Sequence, residues 1–305
     1  MSKDKFAGKT RNITNEELDL WIACPKEIDN DDFDVWVKKE KKWLKNFEIP
    51  LENLFVYEIN GKFWGKICIL IEEKNLGFWV YPDIKDCKET PVIAKSLYKK
   101  AIDVTIKRNL ERIETYLDKS HNQFDILDKT LRDVGFTETE QVILYGRELD
   151  KPPEKKNPEN LEFIRGNIFG EIKIKDLFLK SRFESLDHAG NPFPPNIYED
   201  YESIKGESYS NFIVALKDKE PVGFSSLNIS KDDSGSLLYI CVLPEYRGQK
   251  FGDVIFNESL NSLRKKGSRK YLGSTNAKNL PMINIFKRNG CKKKFHRIIY
   301  IYFEK

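Results

Sequence analysis

Residues 237–255 read LLYICVLPEYRGQKFGDVI. Composition divides the stretch into parts. Leu237–Leu243 is an apolar run of strand length, and Pro244, Glu245 and Tyr246 turn the chain. Arg247–Gly252 is a basic loop that holds two glycines, and a helical pattern starts at Asp253 and ends near Lys265. Backbone N–H groups at a helix N-terminus, with Arg and Lys beside them, make an anion site. Gly248 and Gly252 permit unusual φ and close approach of a ligand to the backbone. Taken alone, the stretch also fits a basic surface turn into an ordinary helix, because short glycine patterns recur by chance.

Downstream, residues 271–291 read YLGSTNAKNLPMINIFKRNGC. A strand over Lys270–Gly273 precedes a helix over Leu280–Arg288, stopped by Asn289-Gly290, with Asn279 as its N-cap candidate and Pro281 in its first turn. Together the two stretches resemble the GNAT (Gcn5-related N-acetyltransferase) superfamily. Its first motif is V-x-P-x-x-(R/Q)-x-x-G-x-(G/A), and its second usually reads N-x-x-A-x-x-L-Y-x-x-x-G-F. Asn279, Met282, Ile285, Phe286, Gly290 and Cys291 fall on the second pattern in register, with Asn279 and Gly290 identical to it. Lys250 stands where the family has its inner glycine. The resemblance covers Leu161 to the end of the sequence.

The resemblance implies acetyl-CoA as co-substrate. Its pyrophosphate would lie on Arg247, Gly248, Gln249, Lys250, Phe251, Gly252 and Asp253, and its pantetheine arm along Ile240, Cys241 and Val242, beside Asn279 and Phe286. A backbone N–H near Cys241–Val242 would polarise the thioester carbonyl, which needs no particular side chain. Relatives often place a general-acid Tyr where this chain has Phe286, and some place a Glu where it has Ser274. The resemblance then leaves Tyr239, Tyr246, Tyr300 or water to protonate the leaving thiolate, with Tyr239 taken as the candidate acid and Glu245 as a base acting through water. Asp187 and His188 open the loop DHAGNPFPP, which in the family usually lines the acceptor pocket, so they are the candidate substrate-binding residues. Acidic Glu184, Asp187, Glu199 and Asp200 suit a cationic amine. Read without the family, Glu245 is a solvated turn charge, His188 a plain loop histidine and Cys241 a small strand hydrophobe.

The 305 residues carry 52 basic and 48 acidic side chains, for a net charge of +4, and 40% are hydrophobic. This is a mixed surface over a packed core, with no charge excess that points to nucleic acid or an anionic membrane. The five cysteines form no C-x-x-C pair, and the three histidines lie far apart, so no metal-ligand spacing appears. No signal-like or membrane-length apolar run is present. Reduced thiols in a cytoplasmic protein are expected. Oligomeric state leaves no mark.

The chain also repeats itself. FVYEINGKFWGKI (Phe55–Ile67) aligns with FIVALKDKEPVGFS (Phe212–Ser225), placing Gly65 on Gly223. LRDVGFTETEQVILY (Leu131–Tyr145) aligns with FKRNGCKKKFHRIIY (Phe286–Tyr300) at nearly the same offset, placing Gly135 on Gly290. Similar elements at a similar offset argue for duplication. The expected fold class is α/β, two GNAT-like domains in tandem, each a mixed, mostly antiparallel sheet flanked by helices. Residues 1–150 form a degenerate domain, 151–160 (KPPEKKNPEN) a linker, and 161–305 the acetyl-CoA-binding domain. At the loop's place the first half has VYPDIKDCKETPV (Val80–Val92): no glycine, no Arg, and carboxylates that repel a pyrophosphate. The expected function is acetyl-CoA-dependent N-acetylation of a small amine-bearing molecule, by direct attack of the amine on the thioester in the C-terminal domain. The alternative is a non-catalytic acyl-CoA-binding or partner-binding protein on a degenerate GNAT fold.

Overall fold

The computed structural model describes residues 8–25, 30–71, 78–110, 112–153, 160–186, 196–206, 208–230 and 233–303. The chain divides into two compact units, residues 1–139 with 297–305, and residues 140–296.

Unit 1 runs β1 (Lys9–Asn12), α1 (Leu18–Ala23), α2 (Asn30–Asn46), β2 (Leu54–Ile59), β3 (Lys62–Ile71), β4 (Phe78–Ile84), α3 (Thr90–Lys107), β5 (Arg112–Asp118) and α4 (Phe124–Asp133). β2 is covered on both faces, which is why Leu54–Tyr57 reads as a continuous apolar run. Phe55 and Tyr57 face α3 through Ile93, Leu97 and Ala101, spaced one helical turn apart. Leu54 and Val56 face the other way, onto Trp21 and Ile22 of α1 and Val37 and Leu44 of α2. The β2–β3 hairpin turns on Asn60 and Gly61, both at positive φ (50° and 77°), the pairing a two-residue primed turn needs. β1 was not foreseen: the stretch reads as a polar lead, because a four-residue edge strand carries no periodic apolar signal.

The next strand, β6 (Thr137–Glu148), begins in unit 1 and passes into unit 2. Unit 2 continues with β7 (Glu162–Arg165), α5 (Gly166–Phe169), α6 (Glu171–Ser181), α7 (Ile197–Lys205), β8 (Phe212–Lys217), β9 (Glu220–Ile229), β10 (Ser234–Val242), α8 (Phe251–Lys265), β11 (Lys270–Asn276), α9 (Leu280–Arg288) and β12 (Lys292–Phe303). One helix is expected over 166–183. Gly170, at φ 106°, breaks it into α5 and α6. The β8–β9 turn repeats that of unit 1, with Asp218 and Lys219 both at positive φ. The helices again cover two faces. Ile174 and Phe178 of α6 and Tyr201 of α7 pack on Phe212 and Phe224, while Phe256 and Leu260 of α8 and Phe286 of α9 pack on Ile213, Leu227 and Tyr271.

Strand order is β1-β2-β3-β4-β5-β12 in unit 1 and β7-β8-β9-β10-β11-β6 in unit 2. Each has one parallel neighbour pair, β4–β5 and β10–β11, in an otherwise antiparallel set. The repeat seen in sequence is therefore a repeat of architecture. The last place in each set is filled from the other half of the chain: residues 297–303 of β12 pair with β5, and residues 142–148 of β6 pair with β11. The expected boundary at 151–160 follows chain order, whereas the compact units do not. Most of that expected linker, 154–159, lies outside the described residues.

Candidate functional site

β10 and β11 begin side by side and then part. Their parallel register holds only at Ser234↔Lys270 and Gly235↔Tyr271. Beyond that, β10 stays with β9 as far as Val242, and β11 stays with β6 as far as Asn276. A register shift between Leu237 and Tyr239 adds a residue to β10 and re-aims the strand at the split, as bulges do. A cavity of about 1010 Å³ is lined by the diverging segment Tyr239–Val242, by the loop that follows, by α9 from Pro281 to Arg288, and by Ser181 and Glu184–Leu186 beyond α6.

The loop takes its shape from two left-handed residues. Gly248 has φ 79° with nothing near a would-be Cβ, so its need is conformational. Lys250 has φ 66° and ψ 7°, and is the residue just before α8. Glycine reaches that conformation freely, whereas an L-residue there costs about 1 kcal/mol. The departure from the motif at Lys250 thus keeps the backbone and adds a charge. α8 begins at Phe251, two residues earlier than its pattern suggests, with no side chain capping its first turn. Among the described residues the N–H groups of Phe251 and Gly252 take no hydrogen-bond partner, at the positive end of the helix, while that of Asp253 bonds Lys250 O at 3.1 Å. A Cβ on Gly252 would lie 2.8 Å from Cδ1 of Ile285, so the glycine lets α8 and α9 approach.

Of the expected donor-site residues, Ile240, Cys241, Val242, Arg247, Gly248, Lys250, Phe251, Gly252, Asp253 and Asn279 line the cavity. Asn279 caps α9, its Oδ1 accepting from Met282 N at 3.1 Å, while its Nδ2 has no protein partner among the described residues. Arg247 is otherwise engaged than expected. Its Nη2 donates to Ser181 O at 2.9 Å, its Nη1 to Phe183 O at 2.9 Å and Glu184 O at 3.4 Å, and its Nε to Val242 O at 3.2 Å. Asp253 is buried and accepts two bonds from Arg288, at 2.9 and 2.8 Å. Its carboxylate serves that pair, and Arg288, held above its ordinary pKa by Asp253, becomes a fixed cation on the cavity wall.

Three expected residues stand apart from the cavity lining. Phe286 is 1% exposed in the core, stacked on Tyr145 at 4.8 Å and edge-on to Phe256. Gln249 is exposed and its Nε2 donates to Glu245 O at 3.4 Å. Glu245 is exposed on the 3₁₀ turn. Tyr239 does line the cavity, and its hydroxyl lies 3.2 Å from Ser181 Oγ. Ser181 donates its own proton to Phe178 O at 2.7 Å, so the phenol is the donor in that pair. Asp187 and His188 lie outside the described residues. Asp200, expected to attract a cation, is paired with Arg182 at 2.8 Å.

Sequence reasoning did not single out Arg288, Ser181 or Ser185 for the site. Arg288 carried a signal: it lies two residues past Phe286 in the second motif, on the helix Asn279 caps. Ser181 and Ser185 carried none, since their part depends on where Arg247 reaches.

At the matching place in unit 1, α3 is closed by its own side chains. Thr90 Oγ1 accepts from Cys87 N at 3.1 Å and from Gln123 Nε2 at 3.4 Å, and donates to Cys87 O at 2.7 Å. β4 also runs on through Pro82 to Ile84, where in unit 2 the chain already turns at Pro244.

Residues 174–291 match the Acetyltransferase (GNAT) family. That segment carries the GNAT acyltransferase pattern. The chain is similar to a putative [ribosomal protein bS18]-alanine N-acetyltransferase of Bacillus subtilis (strain 168), 26% identical over 127 residues, which are 39% of this chain and 82% of that one. Its fold resembles a GCN5-related N-acetyltransferase from Sphaerobacter thermophilus, with TM-score 0.64, 13% identity, and 99% and 97% of the two chains covered. It also resembles a tandem GNAT protein from the clavulanic acid biosynthesis pathway, with TM-score 0.51, 11% identity and 82% of each chain covered. These likenesses agree with two GNAT-like halves in one chain. Among the described residues no helix is long and apolar enough to cross a membrane.

Proposed function

We propose that unit 2 transfers an acetyl group from acetyl-CoA to the primary amine of a small molecule. The observation that carries this reading is the parting of β10 and β11 at a cavity that the glycine-bearing loop and the uncapped start of α8 also line. The residues present fit the group. The loop backbone from Gly248 to Gly252, with Lys250 and Arg288, would hold the pyrophosphate. The edge of β10 and the Nδ2 of Asn279 would hold the pantetheine amides. When bound, acetyl-CoA supplies a thioester whose carbonyl carbon the neutral amine attacks as the C–S bond breaks. The β10 backbone near Cys241 and Val242 would stabilise charge on the carbonyl oxygen. Of the two phenols that line the cavity, Tyr239 and Tyr246, Tyr239 is the one taken to hold or deliver a proton, with Ser181 fixing its orientation. Glu245 keeps a role only through solvent. The cytoplasm is the compartment that five unpaired thiols suit.

The test is calorimetric titration of acetyl-CoA, followed by thiol release with four amines: spermidine, tryptamine, glucosamine and a short peptide with an N-terminal alanine. The peptide is included because the Bacillus relative is named for an alanine acceptor. Amine-dependent thiol release supports transfer. Absence of acetyl-CoA binding removes the reading. A second reading, a non-catalytic acyl-CoA-binding protein, is favoured by Phe286, a residue without a hydroxyl where relatives place their acid. It is the outcome if acetyl-CoA binds and no amine turns over.

A further inference from the structure

We propose that Arg247 is a positioning residue for the acceptor amine, and not a phosphate ligand. Its backbone opens the loop assigned above to the pyrophosphate, so this inference rests on that reading of the cavity.

The geometry behind it is local. α6 ends at Ser181 without a glycine; backbone N–H groups of the turn that follows serve Phe178 O, Leu179 O and Lys180 O, and leave Ser181 O to another donor. The chain turns beyond it through Glu184 at φ 50°. Arg247 supplies the missing donors across the notch, reaching Ser181 O, Phe183 O and Glu184 O from one guanidinium. A planar fork can bind several carbonyls at once, and a cation is favoured at a helix C-terminus. The fourth bond, Nε to Val242 O, returns the side chain to the end of its own strand. The guanidinium therefore joins two walls of one cavity: β10 with its loop, and the segment that carries Ser181, Glu184, Ser185 and Leu186.

Ser181 is the centre of this join. Its carbonyl accepts from Arg247, and its hydroxyl meets Tyr239. Losing the guanidinium would release the wall that orients the phenol and bounds the space beside Tyr239. The loop backbone would keep its shape, because that depends on Gly248 and Lys250. Arg247 thus acts through Ser181 and its neighbours, on the wall of the cavity that meets Tyr239.

The experiment compares wild type with Arg247→Ala, Arg247→Lys and Arg247→Gln in the full chain. Acetyl-CoA affinity is read by calorimetry, amide exchange over residues 178–186 by mass spectrometry, and KM and kcat with whichever of the four amines turns over. The expected result for Arg247→Ala is an acetyl-CoA Kd within about threefold of wild type. Exchange over 181–186 should rise at least about tenfold. The amine KM should rise about tenfold or more while kcat changes much less. Arg247→Lys should recover part of the protection, since an ammonium still reaches one carbonyl. An acetyl-CoA Kd weakened by about tenfold or more overturns the proposal, as does unchanged exchange over 181–186. Should Arg247→Ala fail to fold, Arg247→Gln answers the same questions with a neutral donor. If wild type binds no acetyl-CoA, the function reading falls, and the exchange arm alone decides the tether.

Discussion

Arg288 grips Asp253 with two near-parallel bonds, Nε to Oδ1 at 2.9 Å and Nη2 to Oδ2 at 2.8 Å. Asp253 lies in the first turn of α8, where a carboxylate is favoured by the helix but unwelcome to a phosphate. The pair resolves the conflict by neutralising the acid in place. Arg288→Ala should therefore expose Asp253 to the ligand and weaken acetyl-CoA binding about tenfold, or about 1.4 kcal/mol. Adding Asp253→Asn to that variant should restore part of the loss. Calorimetry on the four members of the cycle measures the coupling, and simple additivity would refute it.

Lys250 occupies the left-handed region with φ 66°. Lys250→Gly should leave stability unchanged or raise it by up to about 1 kcal/mol, since relief of strain is offset by a freer unfolded chain. Lys250→Val should lower stability by about 1–2 kcal/mol, because a β-branched residue resists that conformation. Urea denaturation of the three proteins separates these outcomes.

Two glycines of unit 2 are required for different reasons. A Cβ on Gly223 would overlap the backbone oxygen of Cys241 and lie 2.9 Å from Ile255 Cδ1. Gly223→Ala should then cost about 2–3 kcal/mol, as overpacking against backbone does. Gly248→Ala meets open space and should cost about 1 kcal/mol through φ alone. Equal losses in chemical denaturation would contradict the distinction.

Burial holds the thiols of Cys24, Cys68 and Cys291 up at about 12, so almost none is thiolate at neutral pH. Cys87 and Cys241 are partly accessible, and Cys241 lines the cavity. Iodoacetamide at pH 8 should label Cys87 and Cys241 and spare the other three. Acetyl-CoA should protect Cys241 and leave Cys87 unchanged. Mass spectrometry of the labelled peptides tests both halves, and protection at Cys87 alone would move the ligand out of this cavity.

Arg11 binds Glu17 through two bonds, at 2.7 and 2.6 Å, and Glu58 through a third. The Arg11 bonds, with the Thr14 backbone N–H, pull the Glu17 carboxyl down from 4.5 to about 2. A lowered acid stabilises the fold above its unfolded value, and that contribution is lost as pH falls from 4.5 toward 2. Partial exposure limits it to about 1 kcal/mol. Thermal melts at neutral pH and near pH 3 should show a smaller acid-induced drop in Arg11→Gln than in wild type.

Much of this was legible in the sequence, and particular residues show why. Asn60-Gly61 and Asp218-Lys219 announce matching hairpins, and the glycine loop with Asn279 marks both rims of the notch. These signals are local, so neighbouring residues suffice to read them. The reach of Arg247 was not legible: its motif position suggests a phosphate ligand, while its length carries it to carbonyls 63 to 66 residues away in sequence. Phe286 kept its register but turned into an aromatic cluster with Tyr145, a residue from the other half of the chain. The crossing of β6 and β12 was hidden for the same reason: either strand pairs equally well by pattern with either set.

That crossing bears on how the protein comes to be made. The ribosome delivers residues in order, yet unit 1 lacks its closing strand until residues 297–303 emerge, after all of unit 2. For most of synthesis β5 therefore presents an open edge to the cell, with apolar Ile113 and Leu117 behind it. A nascent chain in that condition needs either shielding or speed, and a gene cut between the halves would yield a first product without its native closing strand.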